Sequence, residues 1–333
     1  MYFNLQNELS HNCYIMMILG ARGCGKSWAC KKFVLRRFLD YNEQFIVLNR
    51  TEVDKDETMD SYFNDVSLDD EFIECDIKFE GDTFLVNDRM AGTAHALSKA
   101  HTYKRSSFPR VSWIIFEEFT ADVTIGARYL KNEFELYLNY LDTIIRNRDN
   151  VKIFMIGNYV SLYCPYVNGW DLYPKHETQA IVKTPSKKIM LHILEDDLEF
   201  VNFRKKTLMG QIHEESGTAK HGLYNTPKID NDVFIQKKTE NCSYLFTFTY
   251  EGEKLGCWAD WDKGLYFISF DIDPTCKIVY ATTLNDHQPN AMLLKRKKSS
   301  MFSGMIKAYE RSSLRFESLK IKLIMDNVIK MTF

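Results

Sequence analysis

The chain of 333 residues has eight cysteines (13, 24, 30, 75, 164, 242, 257 and 276) but no Cys-x-x-Cys pair and no regular cysteine spacing. A disulfide framework or a zinc site is therefore not supported, and reduced thiols in a cytoplasmic-type compartment are expected. Long hydrophobic runs are also missing. The longest, residues 13–19, is far short of the roughly 20 residues a membrane span needs. No basic segment followed by an apolar stretch opens the sequence, so no signal peptide is expected, and the chain reads as soluble and cytosolic with no membrane partner. Charge of one sign is scarce: 43 Lys and Arg face 45 Asp and Glu, so any contact with nucleic acid must come from a local patch. There is no internal repeat and no low-complexity tract. A composition that is 45% hydrophobic and 26% charged is that of a globular protein with a substantial core.

The first half alternates short apolar runs with helical stretches, the pattern of a parallel α/β sheet. Strands are predicted at 13–19, 45–48, 111–116 and 151–156, and helices at 26–40 and 134–145, with Trp28, Phe33 and Phe38 facing the sheet. Residues 52–82 are acidic without a clear period and read as a solvated peripheral insertion. Residues 198–228 are predicted to be a linker between a first domain (1–197) and a second (229–333). Early in the second, runs at 244–250, 255–259 and 265–270 predict a three-stranded antiparallel meander, and from about 301 the pattern turns helical and basic.

Three constellations carry chemistry. The first is Gly20-Ala21-Arg22-Gly23-Cys24-Gly25-Lys26-Ser27, between a predicted strand and a predicted helix. Its glycines let several N–H groups point at one phosphate, Lys26 would reach the β- and γ-phosphates, and the Ser27 hydroxyl would hold Mg²⁺. This is a phosphate-binding loop for ATP. Arg22 could face the γ-phosphate, a neighbouring subunit or solvent. The second is Trp113-Ile114-Ile115-Phe116-Glu117-Glu118, an apolar strand ending in two acids, as in a Walker B motif. Glu117 would orient the metal, although Asp is usual there, and Glu118 would polarise the attacking water. A catalytic Glu directly after the Walker B acid points to the additional-strand ATPases, which are mostly ring-forming motors and helicases. The third is Arg146-Asn147-Arg148 at the end of a helix. There a cation suits the helix dipole, or in a ring reaches the neighbour's γ-phosphate as an arginine finger. Asn158, just past the fourth strand, is placed to sense the γ-phosphate or the attacking water; a turn Asn is the plainer alternative.

Taken together, these parts resemble the genome-packaging ATPases of phi29-like tailed phages, a terminase-like DNA-encapsidation family. The resemblance rests on the phosphate loop, Tyr62-Phe63-Asn64-Asp65-Val66, Ile114-Ile115-Phe116-Glu117-Glu118-Phe119, Leu141-Asp142-Thr143-Ile144-Ile145-Arg146-Asn147-Arg148, and Asn158. It rests also on Leu255-Gly256-Cys257-Trp258 followed by Gly264-Leu265-Tyr266. It implies a homomeric ring, pentameric by analogy, in the host cytoplasm and transiently at the portal vertex of the procapsid, pumping double-stranded DNA inward as ATP is hydrolysed. A packaging RNA is a further partner it allows. It implies Arg146 as the trans-acting finger and adds Lys104 as a second cation acting across the subunit interface. It also implies an α/β architecture in which a P-loop motor domain of additional-strand type precedes a smaller, nuclease-inactive RNase H-like domain that binds nucleic acid or the portal.

An active nuclease would need carboxylates converging on two metals. Asp260, Asp262, Asp271 and Asp273 flank the meander, but turn chemistry accounts for each. From residue 287 onward ten Lys or Arg face three acids, an electrostatic footprint suited to phosphate backbones or to an acidic portal rim. Lys55 and Lys131 are candidates for lining a channel. Two other readings remain at this level: a terminase with its own active nuclease, and a nucleotide-dependent DNA-binding switch that does not translocate.

Overall fold

The computed structural model describes residues 3–122, 126–174, 179–216, 224, 234–294 and 300–332. The chain divides into two compact units, Met1–Lys228 and Ile229–Phe333.

In the first unit the order is α1 (Leu5–Ser10), β1 (Ile15–Gly20), α2 (Lys26–Tyr41), β2 (Gln44–Asn49), α3 (Glu52–Thr58), β3 (Ile77–Glu80), β4 (Thr83–Val86) and β5 (Arg89–Ala96). A 3₁₀ stretch (Leu97–Arg105) leads to β6 (Val111–Glu117), α4 (Glu133–Ile145), β7 (Lys152–Asn158), α5 (Pro165–Gly169), β8 (Ile181–Lys183), β9 (Ile189–Ile193), α6 (Leu198–Lys205) and α7 (Leu208–Glu215). The strands form one sheet in the order β3-β4-β5-β2-β6-β7-β1-β9-β8. The six from β5 to β9 are parallel to their neighbours, and β3, β4 and β8 add antiparallel edges. The continuous apolar runs reflect this arrangement: β1 is buried along its whole length, because a parallel strand is covered on both faces. Phe33 on α2 packs edge-on against Trp113 and Phe154, joining helix to sheet.

The parallel strands bring their carboxyl ends to one edge, where Gly20, Asn49, Glu117 and Asn158 emerge. Such an edge is where open α/β sheets bind ligands. Strand β7 lies between β1 and β6, so the glycine loop and the two acids leave the sheet one strand apart.

Four expectations need correction. Residues 52–82 are not a solvated insertion: Met59, Tyr62, Phe63, Val66 and Phe72 join the core beside Phe45 and Phe84. The acids around them pair with cations instead, Asp65 with Lys31 and Asp69 with Lys32. Lys55 lines no channel; it is buried, held by Glu52, Asp56 and Asp82. Trp28 faces outward at 37% exposure, unlike Phe33 and Phe38. The stretch read as a linker is helical over its first part. Asp197 caps α6 and Thr207 caps α7, both through side chains that accept backbone N–H groups.

The second unit holds β10 (Ser243–Tyr250), β11 (Glu253–Asp260), β12 (Leu265–Ser269), β13 (Val279–Ala281), β14 (Met292–Leu293), α8 (Ser300–Glu310), β15 (Leu314–Phe316) and α9 (Leu319–Thr332). The sheet order is β14-β13-β10-β11-β12-β15. The antiparallel trio is the predicted meander, and β13, β14 and β15 are parallel to their neighbours. Phe246, Phe248, Tyr280 and Phe302 form an aromatic core. The turn between β10 and β11 needs positive φ at Glu251 (48°) and Gly252 (85°), and the buried Asp286 carboxylate accepts the N–H of both. Among the described residues of the chain, no helix is long and apolar enough to cross a membrane.

Candidate active site

Between β1 and α2 the backbone turns through positive φ at Gly23 (81°) and Gly25 (93°). A Cβ at Gly23 would meet nothing within 4 Å, so conformation and not space calls for glycine there. Gly25 stands at the helix N-cap without a side-chain cap, leaving the first-turn N–H groups of α2 open. Lys26 is buried, and its ammonium donates to the carbonyls of Gly20 (3.0 Å) and Ala21 (2.9 Å) and approaches the Cys24 sulfur at 3.6 Å. The loop and its lysine thus form one folded unit.

A cavity of 600 Å³ opens beside the loop, lined by Arg22, Gly23, Gly25, Lys26, Ser27, Trp28, Asp65, Glu117, Glu118, Ile156, Gly157 and Asn158. Residues from separate stretches of sequence therefore meet at one place. The Ser27 hydroxyl donates to Glu117 Oε2 at 3.2 Å, and the Tyr62 hydroxyl donates to the other oxygen. Burial pushes the Glu117 carboxyl above the ordinary range, against the opposing pull of the Tyr62 hydrogen bond and the Lys31 charge. The longer Glu side chain at this position is held at both oxygens, by Ser27 and by Tyr62.

Glu118 sits one residue past the strand with φ of 50°. Asn158 Nδ2 donates to both of its carboxylate oxygens, at 3.1 and 3.4 Å. Although its side chain reaches solvent, the surrounding walls raise its carboxyl pKa, with Lys26, Arg22 and Arg50 acting in the opposite direction. The segment after Glu118 is pinned on both sides. Arg50 donates to the Phe119 carbonyl at 2.7 Å, and the Thr120 hydroxyl donates to the Asn158 carbonyl at 2.9 Å. Arg50 is itself buried against Glu133 with both contacts at 3.1 Å, and Glu133 also accepts from Tyr166 at 2.7 Å.

Arg146 and Lys104 lie elsewhere. Arg146 ends α4 at the opposite edge of the sheet, where its guanidinium donates to the Ser106 carbonyl at 2.7 Å. Strand β6 alone separates the two edges by about 20 Å, and neither cation lines the cavity of its own chain. Both are exposed, and the Arg146 bond to Ser106 brings it to the stretch that follows Lys104. Arg148, by contrast, is spent on structure: it donates to the carbonyls of Pro109, Val111, Ile144 and Ile145, closing the end of α4.

Sequence reasoning missed the roles of Tyr62, Asp65 and Trp28 at this cavity. The Tyr62-Phe63-Asn64-Asp65 run held the signal for two of them. It also missed Arg204 on α6, which donates to the Arg22 carbonyl at 2.7 Å and ties the loop to the stretch read as a linker.

In the second unit, Asp260 accepts from Thr239 and from the Lys263 N–H, Asp271 pairs with Lys238, and Asp273 holds Thr275. Asp262 is exposed in the turn between β11 and β12. The basic tail is partly consumed as well. Lys320 pairs with Glu253, Lys322 is buried near Asp326, and Arg315 lies over Phe234. Residues 295–298 lie outside the described residues.

The fold and the cavity define a mixed α/β protein whose large, mainly parallel sheet carries a polar, glycine-walled site at its carboxyl edge. Comparison with known proteins makes this particular. The model of the Podovirus DNA encapsidation protein (Gp16) family matches residues 1–333, and the chain belongs to that family. It is 32% identical over 325 residues to the DNA packaging protein of Bacillus phage phi29, covering 97% of this chain and 96% of that one. Its structure is similar to a chain of the bacteriophage phi29 viral genome packaging motor assembly, with a TM-score of 0.82, 30% identity, and coverage of 100% and 99%. The N-terminal domain of the DNA packaging ATPase from phi29 aligns with a TM-score of 0.54 and 32% identity, over 60% of this chain and 98% of that domain.

Proposed function

We propose that this chain is the ATPase subunit of a phage DNA-packaging motor: copies assemble in a ring, hydrolyse ATP, and drive double-stranded DNA into a capsid through its portal. The observation that carries this is the single cavity in which the glycine loop, the Ser27–Glu117 pair and the Asn158-held Glu118 converge. Family membership and the position of β7 between the loop strand and the acid strand support the additional-strand P-loop class.

The loop N–H groups and the α2 N-terminus bind the phosphates. Lys26 exchanges its loop carbonyls for β- and γ-phosphate oxygens. Ser27 and Glu117 offer two hard oxygen donors side by side, a fit for Mg²⁺, which when bound would neutralise phosphate charge. Glu118 takes the proton of the attacking water, and Asn158 fixes the carboxylate for that task. Arg146 and Lys104, both exposed and away from their own cavity, complete the site of the adjacent copy. A finger of this kind contributes about 10³–10⁵ in rate. In the second unit, β13 and β14 run parallel beside one edge of the three-stranded meander and β15 beside the other, which supports reading it as an RNase H-like domain. Its aspartates are absorbed in turns, so its role is to grip nucleic acid or seat on the portal, with a pentameric ring and a packaging RNA as further elements of this reading.

Mixing variants tests the shared site. Glu118→Gln and Arg146→Ala are each expected to be inactive alone. Rings mixed from the two should recover part of the DNA-stimulated ATPase, because some interfaces then hold both intact residues. Mixed rings as inactive as the parents, or an Arg146→Ala ring at full rate, would refute it.

A further inference from the structure

Tyr62 follows the short turn Met59–Ser61, past α3, and is buried. Three neighbours hold its ring. Phe63 and Phe84 pack against it with ring centroids 4.9 and 6.0 Å away, and the Lys31 ammonium lies over its face, 4.4 Å from the centroid. Lys31 is itself fixed by Asp65, donating to its two carboxylate oxygens at 3.1 and 3.3 Å. A phenol clamped in this way has its hydroxyl at a set place, and that place is beside Glu117 Oε1.

Glu117 needs such a partner. Asp is usual at the end of the acid strand, and Glu adds a methylene and a rotatable bond, so its carboxylate has more positions to choose among. A tyrosine hydroxyl has one hydrogen to donate, and here it is spent on Oε1. The other oxygen, Oε2, is left beside the Ser27 hydroxyl at 3.2 Å, on the side of the phosphate loop.

We propose that Tyr62 is a positioning residue that makes Glu serviceable where Asp is usual: it holds Oε1 and so presents Oε2, next to Ser27, to the cation that accompanies the nucleotide. The proposal rests on the reading of Ser27 and Glu117 as the Mg²⁺ donors and adds the residue that aims one of them. Tyr62 is not among the residues lining the cavity, so it acts through Glu117 and not on the nucleotide. An Asp at position 117 would be too short to keep the Tyr62 bond. The two side chains are therefore matched, and a change at one alters the effect of a change at the other.

The test is equilibrium binding of ATP to the full chain, titrated with Mg²⁺ and repeated in chelator as the metal-free reference. Wild type, Tyr62→Phe, Glu117→Asp and the double variant are compared. Tyr62→Phe keeps the ring and should raise the Mg²⁺ concentration at half-effect by about tenfold or more, the scale of one lost hydrogen bond to a charged group, with metal-free affinity unchanged. In the Glu117→Asp background the same change should move it by no more than about twofold. Equal shifts in both backgrounds, or no shift in either, would overturn the proposal and leave the metal reading standing. Metal-free affinity that falls along with the Mg²⁺ response would make Tyr62 a core residue only and overturn it too. A wild type whose ATP binding ignores Mg²⁺ would overturn the Ser27–Glu117 reading and this proposal with it.

Discussion

Asn158, at the end of β7, donates its side-chain amide to both carboxylate oxygens of Glu118, one residue past the end of β6, at 3.1 and 3.4 Å. The bond runs between strands that are direct neighbours, so the sheet sets the direction of the carboxylate. Asn158→Ala should lower kcat by about 10–100-fold and leave nucleotide affinity unchanged, whereas Glu118→Gln should cost about 10²–10⁴. Steady-state phosphate release and equilibrium nucleotide binding, measured side by side, separate the two quantities. An Asn158→Ala protein with weakened binding and an unchanged rate would assign this amide to the nucleotide instead.

The pH dependence is set by the same pair of acids. Glu117 and Glu118 both have carboxyl pKa values raised by burial, and a general base works only when ionised. The acid limb of kcat/KM should therefore lie above the ordinary carboxylate pKa of about 4.3, with activity lost as pH falls through it. Stability runs the other way. Between the ordinary and the raised pKa the folded state binds more protons than the unfolded state, so stability drops as pH rises through that window. Glu117→Gln should accordingly raise Tm at pH 8 and have little effect at pH 4, while lowering activity. A Tm gain that is equal at both pH values would contradict the raised pKa.

Behind the site, Arg50 and Glu133 form a buried pair that also carries the Phe119 carbonyl and the Tyr166 hydroxyl. Removing one partner leaves the other charge buried and alone, at a cost of about 3–5 kcal/mol. Glu133→Gln and Arg50→Met should each show a loss on that scale in chemical denaturation, and the double variant should lose less than the sum. Strict additivity would mean that the pair is not coupled.

The sequence was informative where residues with a narrow physical repertoire adjoin an apolar strand. The glycines and Lys26 after β1, and the two acids at the end of β6, could be assigned to a site because a strand end or a glycine turn leaves few roles for the neighbouring residues. The meander in the second unit was legible for a similar reason, since its turns interrupt alternating strands. What escaped lay in residues whose role depends on distant partners. The acids at 65–71 looked solvated because the lysines they pair with are on α2, more than 30 positions earlier. Strands β3 and β4 are short, β5 has a mixed composition without a clear apolar run, and their pairing is set by turns at Gly81 and at Asn87-Asp88, all with positive φ.

Arg146 has a backbone conformation that glycine would adopt more easily, with φ of 53° and ψ of −122°. A side chain there is strained by about 1–3 kcal/mol, and two residues further on Arg148 bonds the Ile144 and Ile145 carbonyls of α4. Arg146 is also the cap of α4, its backbone N–H donating to the Asp142 carbonyl and its guanidinium to those of Thr143 and Ser106, so the task proposed for it in the neighbour's site would draw the side chain away from these contacts. The two arginines should separate cleanly on substitution. Arg146→Gly should leave the fold intact or stabilise it by about 1 kcal/mol while abolishing DNA-stimulated ATPase in the assembled ring. Arg148→Ala removes the guanidinium bonds to the Pro109, Val111 and Ile144 carbonyls, while the Ile145 carbonyl keeps the backbone N–H of residue 148; it should destabilise the first unit by about 1–3 kcal/mol, with activity lost only in proportion to unfolding. Thermal melts and ATPase assays on the same preparations decide the matter. An Arg146→Gly protein that is both less stable and partly active would make this residue a helix cap and remove it from the neighbour's site.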